Sequence, residues 1–111
     1  MATLSSHLLN SVNGTHASGV KVIINQISSS GEKVIFFESE TDNGGRILKD
    51  FDLSKDDCNC DYEMVCKIAD YFSEKKIVSE IIIKFRMEDP KKKYHLPIII
   101  SPNGYSIWWS Q

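Results

Sequence analysis

Lys93-Tyr94-His95-Leu96-Pro97-Ile98-Ile99-Ile100-Ser101-Pro102-Asn103-Gly104-Tyr105-Ser106 combines a strand, a histidine and a turn in one short stretch. Side chains alternate across a strand, so Tyr94, Leu96, Ile98 and Ile100 share a face apolar enough to be core. His95, Pro97, Ile99 and Ser101 share the other face. His, Pro and Ser beside an Ile do not make an ordinary solvated face, which predicts a partner subunit or a ligand there. Ser101-Pro102-Asn103-Gly104 reads as the turn into a last strand, Tyr105 to Gln111. Just upstream, Ile81, Ile83, Phe85 and Met87 alternate with Glu80, Ile82, Lys84 and Arg86, a strand with one buried face. Glu88-Asp89-Pro90-Lys91-Lys92-Lys93 follows as a charged turn whose lysines form a solvated tip. Strands 80–87, 93–101 and 105–110 are therefore expected to form a meander.

Working outward to the N-terminus, residues 3–10 read as a first strand, with Leu4, Ser6 and Leu8 on one face and Ser5, His7 and Leu9 on the other. The turn-rich run from Asn10 to Gly19 reads as a loop in which His16 is a solvated surface histidine. Val20–Ser28 and Glu32–Glu40 form a hairpin across Ser28-Ser29-Ser30-Gly31. Thr41-Asp42-Asn43-Gly44-Gly45 makes a tight turn that delivers Arg46 at the start of a short strand. Asp50–Asp61 is a polar loop, Tyr62–Ala69 a strand, and Ile68–Lys76 a short helix with Ala69 and Phe72 on one face. About eight short strands and one brief helix without repeats predict an all-β antiparallel sandwich, which buries one face of each strand.

A chain of 111 residues suits a single domain, residues 1–111, able to bury a core without disulfides. A net charge of −2 and the lack of an arginine-rich stripe argue against nucleic acid or an anionic membrane as partner. The first residues lack a secretory signal and no run approaches a membrane span, so the protein is expected to be cytoplasmic. The tail Trp109-Ser110-Gln111 is not a Ser-Lys-Leu peroxisomal signal, which keeps the cytosol as the default. Cys58, Cys60 and Cys66 are odd in number, lack CxxC spacing and have no nearby histidine, so they read as reduced thiols rather than a metal cluster. The sequon Asn13-Gly14-Thr15 is discounted on the same compartment logic.

Off the core faces, the titratable candidates are His7, Arg46 and His95. No nucleophile elbow, nucleotide-binding glycine loop or His-Glu-x-x-His helix is present. Two histidines and an arginine make a coherent metal-free hydrolytic set. One histidine takes a proton from water, the other orients that water or protonates the leaving nitrogen, and arginine neutralises an anionic substrate or developing oxyanion. Spacing alone does not say that the three converge.

Three blocks carry a resemblance: Leu4-Ser5-Ser6-His7-Leu8-Leu9-Asn10, Thr41-Asp42-Asn43-Gly44-Gly45-Arg46, and Tyr94 to Ser106. In order and spacing they resemble the 5-hydroxyisourate hydrolases, the enzymatic branch of the transthyretin family, across nearly the whole chain. Ser101-Pro102-x-x-Tyr105-Ser106 is shared with the hormone-carrying branch, whereas the histidine and arginine positions distinguish the hydrolases. The resemblance implies a transthyretin-like sandwich of two four-stranded sheets, a homotetramer, and sites in a channel between dimers. It also implies hydrolysis of the ring amide of 5-hydroxyisourate to 2-oxo-4-hydroxy-4-carboxy-5-ureidoimidazoline in urate breakdown, without metal or organic cofactor. Under it, His7 and His95 activate and position water, Arg46 holds the anionic ring, and Ser106 and Trp108 line the substrate site.

The tail departs from the family's usual Tyr-Arg-Gly-Ser: Trp108 stands where the tyrosine would be and Trp109 where the arginine would be. Trp108 offers a flat face and an indole donor in place of a phenol hydroxyl. The two tryptophans are expected either to meet ligand or to pack at a subunit interface. A transthyretin-fold binding protein that has lost turnover is the alternative function. A secreted adhesion module is a third, disfavoured by the missing signal.

Overall fold

The structure, a computed structural model, describes residues 1–73 and 77–109. Nine strands are assigned among them: β1 (Ala2–Asn10), β2 (Thr15–His16), β3 (Lys21–Ile27), β4 (Lys33–Glu40), β5 (Arg46–Phe51), β6 (Asp61–Cys66), β7 (Ile81–Arg86), β8 (Lys93–Ser101) and β9 (Gly104–Ile107). One sheet runs β4-β3-β6-β7. The other runs β2-β1-β8-β9, with β5 also paired to β1. Strands β2 and β5 lie end to end along one edge of β1, β2 against Leu9 and Asn10 and β5 against Ala2 to His7.

The predicted alternation holds on the strands that matter most. Along β1, Leu4, Ser6 and Leu8 are buried while Ser5, His7 and Leu9 are half-buried. Along β8, Tyr94, Leu96, Ile98 and Ile100 are buried and His95 and Ile99 half-buried on the far side. These faces pack against Val22, Ile24, Tyr62, Met64 and Ile81 of the other sheet. Each fully buried Leu or Ile of this kind contributes about 1.5–3 kcal/mol by leaving water. Polar groups within the core are bonded: the Ser6 hydroxyl donates to the Leu96 carbonyl at 2.6 Å and the Thr41 hydroxyl to the Ala17 carbonyl at 2.6 Å.

Four expectations are corrected. The sheets hold five and four strands rather than four each, because the Asn10–Gly14 turn folds β2 back on β1. The sandwich is not wholly antiparallel, since β1 and β8 pair in parallel from Thr3↔Lys93 to Asn10↔Ile100. Strands β7, β8 and β9 do not form a meander: β7 pairs with β6, and β8 lies in the other sheet between β1 and β9. The 87–92 link is an arch between sheets, anchored by buried Met87 and by the Tyr94 hydroxyl, which accepts from the Asp89 amide at 2.9 Å and donates to its carbonyl at 3.1 Å. Finally, residues 68–73 of the predicted helix make only a turn, with the Tyr71 and Phe72 amides both bonded to the Ile68 carbonyl. Ile68 and Phe72 are buried as plugs at the sandwich end, and the Ala69 amide is drawn away to the Ser79 carbonyl. Residues 74–76 lie outside the described residues. The helix that is assigned is a short 3-10 turn, Asp57–Asn59, inside the stretch read as loop.

Candidate active site

The outward face of the five-stranded sheet is a grid whose rows follow from register. Leu48, Ser5 and His95 form one row across β5, β1 and β8. Arg46, His7 and Pro97 form the next, and the Trp108 amide donates to the Pro97 carbonyl at 3.4 Å, which adds Trp108 to its end. His16, Leu9, Ile99 and Ser106 form the third, across β2, β1, β8 and β9. Residues directly opposite on neighbouring strands share a face at about 4.5–5.5 Å between Cβ atoms. All five predicted site residues, His7, Arg46, His95, Ser106 and Trp108, therefore lie in adjoining rows of one face.

His95 is anchored by a bond between its Nδ1 and the Ser5 hydroxyl, 2.8 Å long. That contact occupies one of the two ring nitrogens. His7 Nε2 lies 2.8 Å from Nδ1 of His16. Their ring centroids are 4.9 Å apart with planes inclined by 29°, as two imidazoles placed nitrogen to nitrogen would be. This corrects the reading of His16 as a solvated loop histidine: it is exposed, but it sits on β2 in contact with the site.

Burial chiefly holds the His7 pKa below its ordinary value, helped by the Arg46 and His16 charges and more weakly by His95, while a backbone bond with Gly44 opposes the shift. The neutral ring, the form able to accept a proton, is thus favoured. Arg46 is exposed and takes part in none of the ion pairs among the described residues. Asp42, which feels the Arg46 charge, accepts the Gly44 and Arg46 amides at its Oδ1 at 2.9 Å each. Those bonds, the one from the Arg46 amide first, hold the Asp42 carboxyl below its usual range. The turn thus fixes the backbone from which the guanidinium projects.

The two tryptophans separate. Trp108 stays on the grid, 45% exposed. Trp109 turns toward the edge of the core, its ring 5.6 Å from that of Tyr94 and capped by the Lys92 ammonium at 5.3 Å. The three cysteines are free thiols, and burial raises the Cys66 pKa to about 12. Among the described residues, no group of three or more His, Cys, Asp or Glu side chains is placed to hold a metal ion. No helix of the described residues is long and apolar enough to cross a membrane.

Sequence reasoning missed Ser5 and His16. Ser5 meets His95 only through a parallel pairing that local sequence does not announce. His16 had a signal, because Asn13-Gly14 after a strand is a hairpin turn that returns the chain alongside it.

Residues 4–109 match the model of the HIUase/Transthyretin family. The chain belongs to that family. Curated relatives include a 5-hydroxyisourate hydrolase of Salmonella dublin, 32% identical over 95% of this chain and 78% of its own length. Another, from Halalkalibacterium halodurans, is 28% identical over 95% of this chain and 94% of its own. Among solved structures, a 5-hydroxyisourate hydrolase of Klebsiella pneumoniae superposes with a TM-score of 0.78 at 26% identity, covering 98% of this chain and 99% of that one. For this family member, the transthyretin-like fold implied by the three sequence blocks is borne out.

Proposed function

We propose that the protein hydrolyses the ring amide of 5-hydroxyisourate in urate breakdown. The observation that carries this reading is the convergence of His7, Arg46 and His95 in two adjoining rows of one exposed sheet face. The curated relatives named for this activity support it. On this reading His95, held through Nδ1 by Ser5, uses Nε2 to take a proton from the attacking water. His7 orients the water or passes a proton to the leaving nitrogen, its Nε2 exchanging the His16 bond for one to water or substrate. Arg46, in none of the ion pairs among the described residues, neutralises the anionic ring and the oxyanion that forms as water adds. Trp108 and Ser106 flank the histidines on the β9 side of this face, with Trp108 supplying a flat surface for a flat ring. The protein works as a single domain in the cytosol and as a homotetramer, in which this face becomes the wall of a channel between dimers.

The test is direct. 5-Hydroxyisourate generated from urate by urate oxidase should disappear faster in ultraviolet absorbance when the protein is added. A rate equal to the spontaneous one, with the compound still retained by the protein, would replace the hydrolase by a transthyretin-fold binding protein. Ser5→Ala should lower kcat about five- to tenfold, as loss of one hydrogen bond worth roughly 1 kcal/mol would, with KM little changed. An unaltered kcat in this variant would remove Ser5 from the account.

A further inference from the structure

We propose that His16 is a positioning residue of this site: it holds one proton in common with His7, and so fixes the tautomer and ring plane of His7. The kinetic consequence rests on the hydrolase reading above; the histidine pair itself does not.

The bond joins Nε2 of His7 to Nδ1 of His16 at 2.8 Å. A nitrogen-to-nitrogen contact of that length needs one hydrogen between the rings, so one ring donates and the other accepts. Two hydrogens there would oppose each other, which makes the bridge a one-proton device. With Nδ1 of His7 turned to the Gly44 backbone, the bridging hydrogen is on His16, which donates to Nε2 of His7.

The backbone is built to hold His16 in this place. The Gly14 amide closes the turn on the Asn10 carbonyl at 2.8 Å, the Thr15 amide bonds Asn13 Oδ1 at 3.1 Å, and the Ala17 amide bonds the Leu8 carbonyl at 2.9 Å. His16 is thereby clamped on both sides to β1. On its flank Gly45 has no side chain, and a Cβ there would come within 3.2 Å of the His16 Cβ.

The charged and titratable groups around His7 are Arg46 on β5, Asp42 in the preceding turn, His95 on β8 and His16 on β2. Arg46 and the two other histidines disfavour a positive charge on His7, and Asp42 acts against them. His16 is the member of this set in direct hydrogen-bond contact with the His7 ring.

The experiment is nitrogen-15 NMR of the histidine rings in the full chain against pH, for the parent, His16→Ala and His16→Asn, with 5-hydroxyisourate decay measured in parallel. In His16→Ala the His7 titration should move up, since the His16 charge no longer opposes protonation, and its Nε2 signal should lose the bridged character. kcat should fall about tenfold with KM little changed, and His16→Asn, whose amide can still meet Nε2, should recover most of the loss. An unmoved His7 titration and tautomer in His16→Ala would overturn the proposal. If the parent protein shows no hydrolysis, the hydrolase reading falls, and the ring spectra still decide the pair.

Discussion

His95→Ala is expected to lower kcat/KM for 5-hydroxyisourate by about 10²–10⁴-fold, the range over which a positioned proton acceptor contributes. His95 is half-buried on the outward face of β8 and packs no core residue out of place, so the variant should keep its fold. Among the described residues its side chain bonds Ser5, and removal leaves a hydroxyl that water can satisfy. Loss of rate with an unchanged unfolding temperature would therefore report chemistry rather than stability. Arg46→Ala should cost about 10²–10³-fold, as loss of one oxyanion-stabilising donor does. The check is the ultraviolet decay of freshly generated substrate; a full rate in His95→Ala would sink the assignment of His95.

Gly45→Ala is expected to be the most damaging of the six glycine-to-alanine changes. Gly45 sits at φ 72°, where an L side chain is strained, and an added Cβ would lie 2.5 Å from the Leu8 carbonyl oxygen and 3.0 Å from the Ala17 nitrogen. Both are backbone atoms of the β1–β2 clamp, and the Leu8 amide is meanwhile bonded to the Gly45 carbonyl at 2.8 Å. Something in the clamp must shift. We expect a loss of about 2–4 kcal/mol, and roughly 8–20 °C in Tm, from strain and clash together. Gly31 is the internal control: it has φ 86° but no neighbour within 4 Å, so Gly31→Ala should cost only the backbone strain, about 1 kcal/mol. Thermal unfolding followed by circular dichroism separates the two. Equal losses would show that the contact with Leu8 contributes nothing.

What was legible in the sequence was local. Alternation picked out β1, β7 and β8 and assigned their buried faces, because a strand half in water must alternate to bury one side. The β3–β4 hairpin was readable from Ser28 to Gly31, and the tight turn before Arg46 from Asp42, Gly44 and Gly45. The errors lie where pairing is settled at a distance. The link from Met87 to Lys93 looks like a hairpin tip, yet the partners of β8 are β1 and β9, and a nearby strand lost to them. Strand β2 is two residues long and carries no period to read. The predicted helix failed at 68–73 because Ile68 and Phe72 gain more by plugging the sandwich end than a single helical turn could return. At the candidate site, His7, Arg46 and His95 were legible by type and by resemblance. Their supports, Ser5 and His16, were not, since each meets its partner only once the sheet is assembled.

The parallel pairing of β1 with β8 has a consequence for synthesis. Ser5 and His95 are separated by 90 positions, so β1 must wait for β8 to be made before the edge it pairs with β8 is covered. A ribosome adding about 5–20 residues each second leaves β1 unpartnered on that side for several seconds. During that interval its alternating apolar face is an exposed template for other chains, and a chaperone that masks short hydrophobic strands would find its binding site there. A nascent chain stalled before β8 emerges should then carry neither the candidate site nor a closed sheet, however well its β3–β4 hairpin has formed.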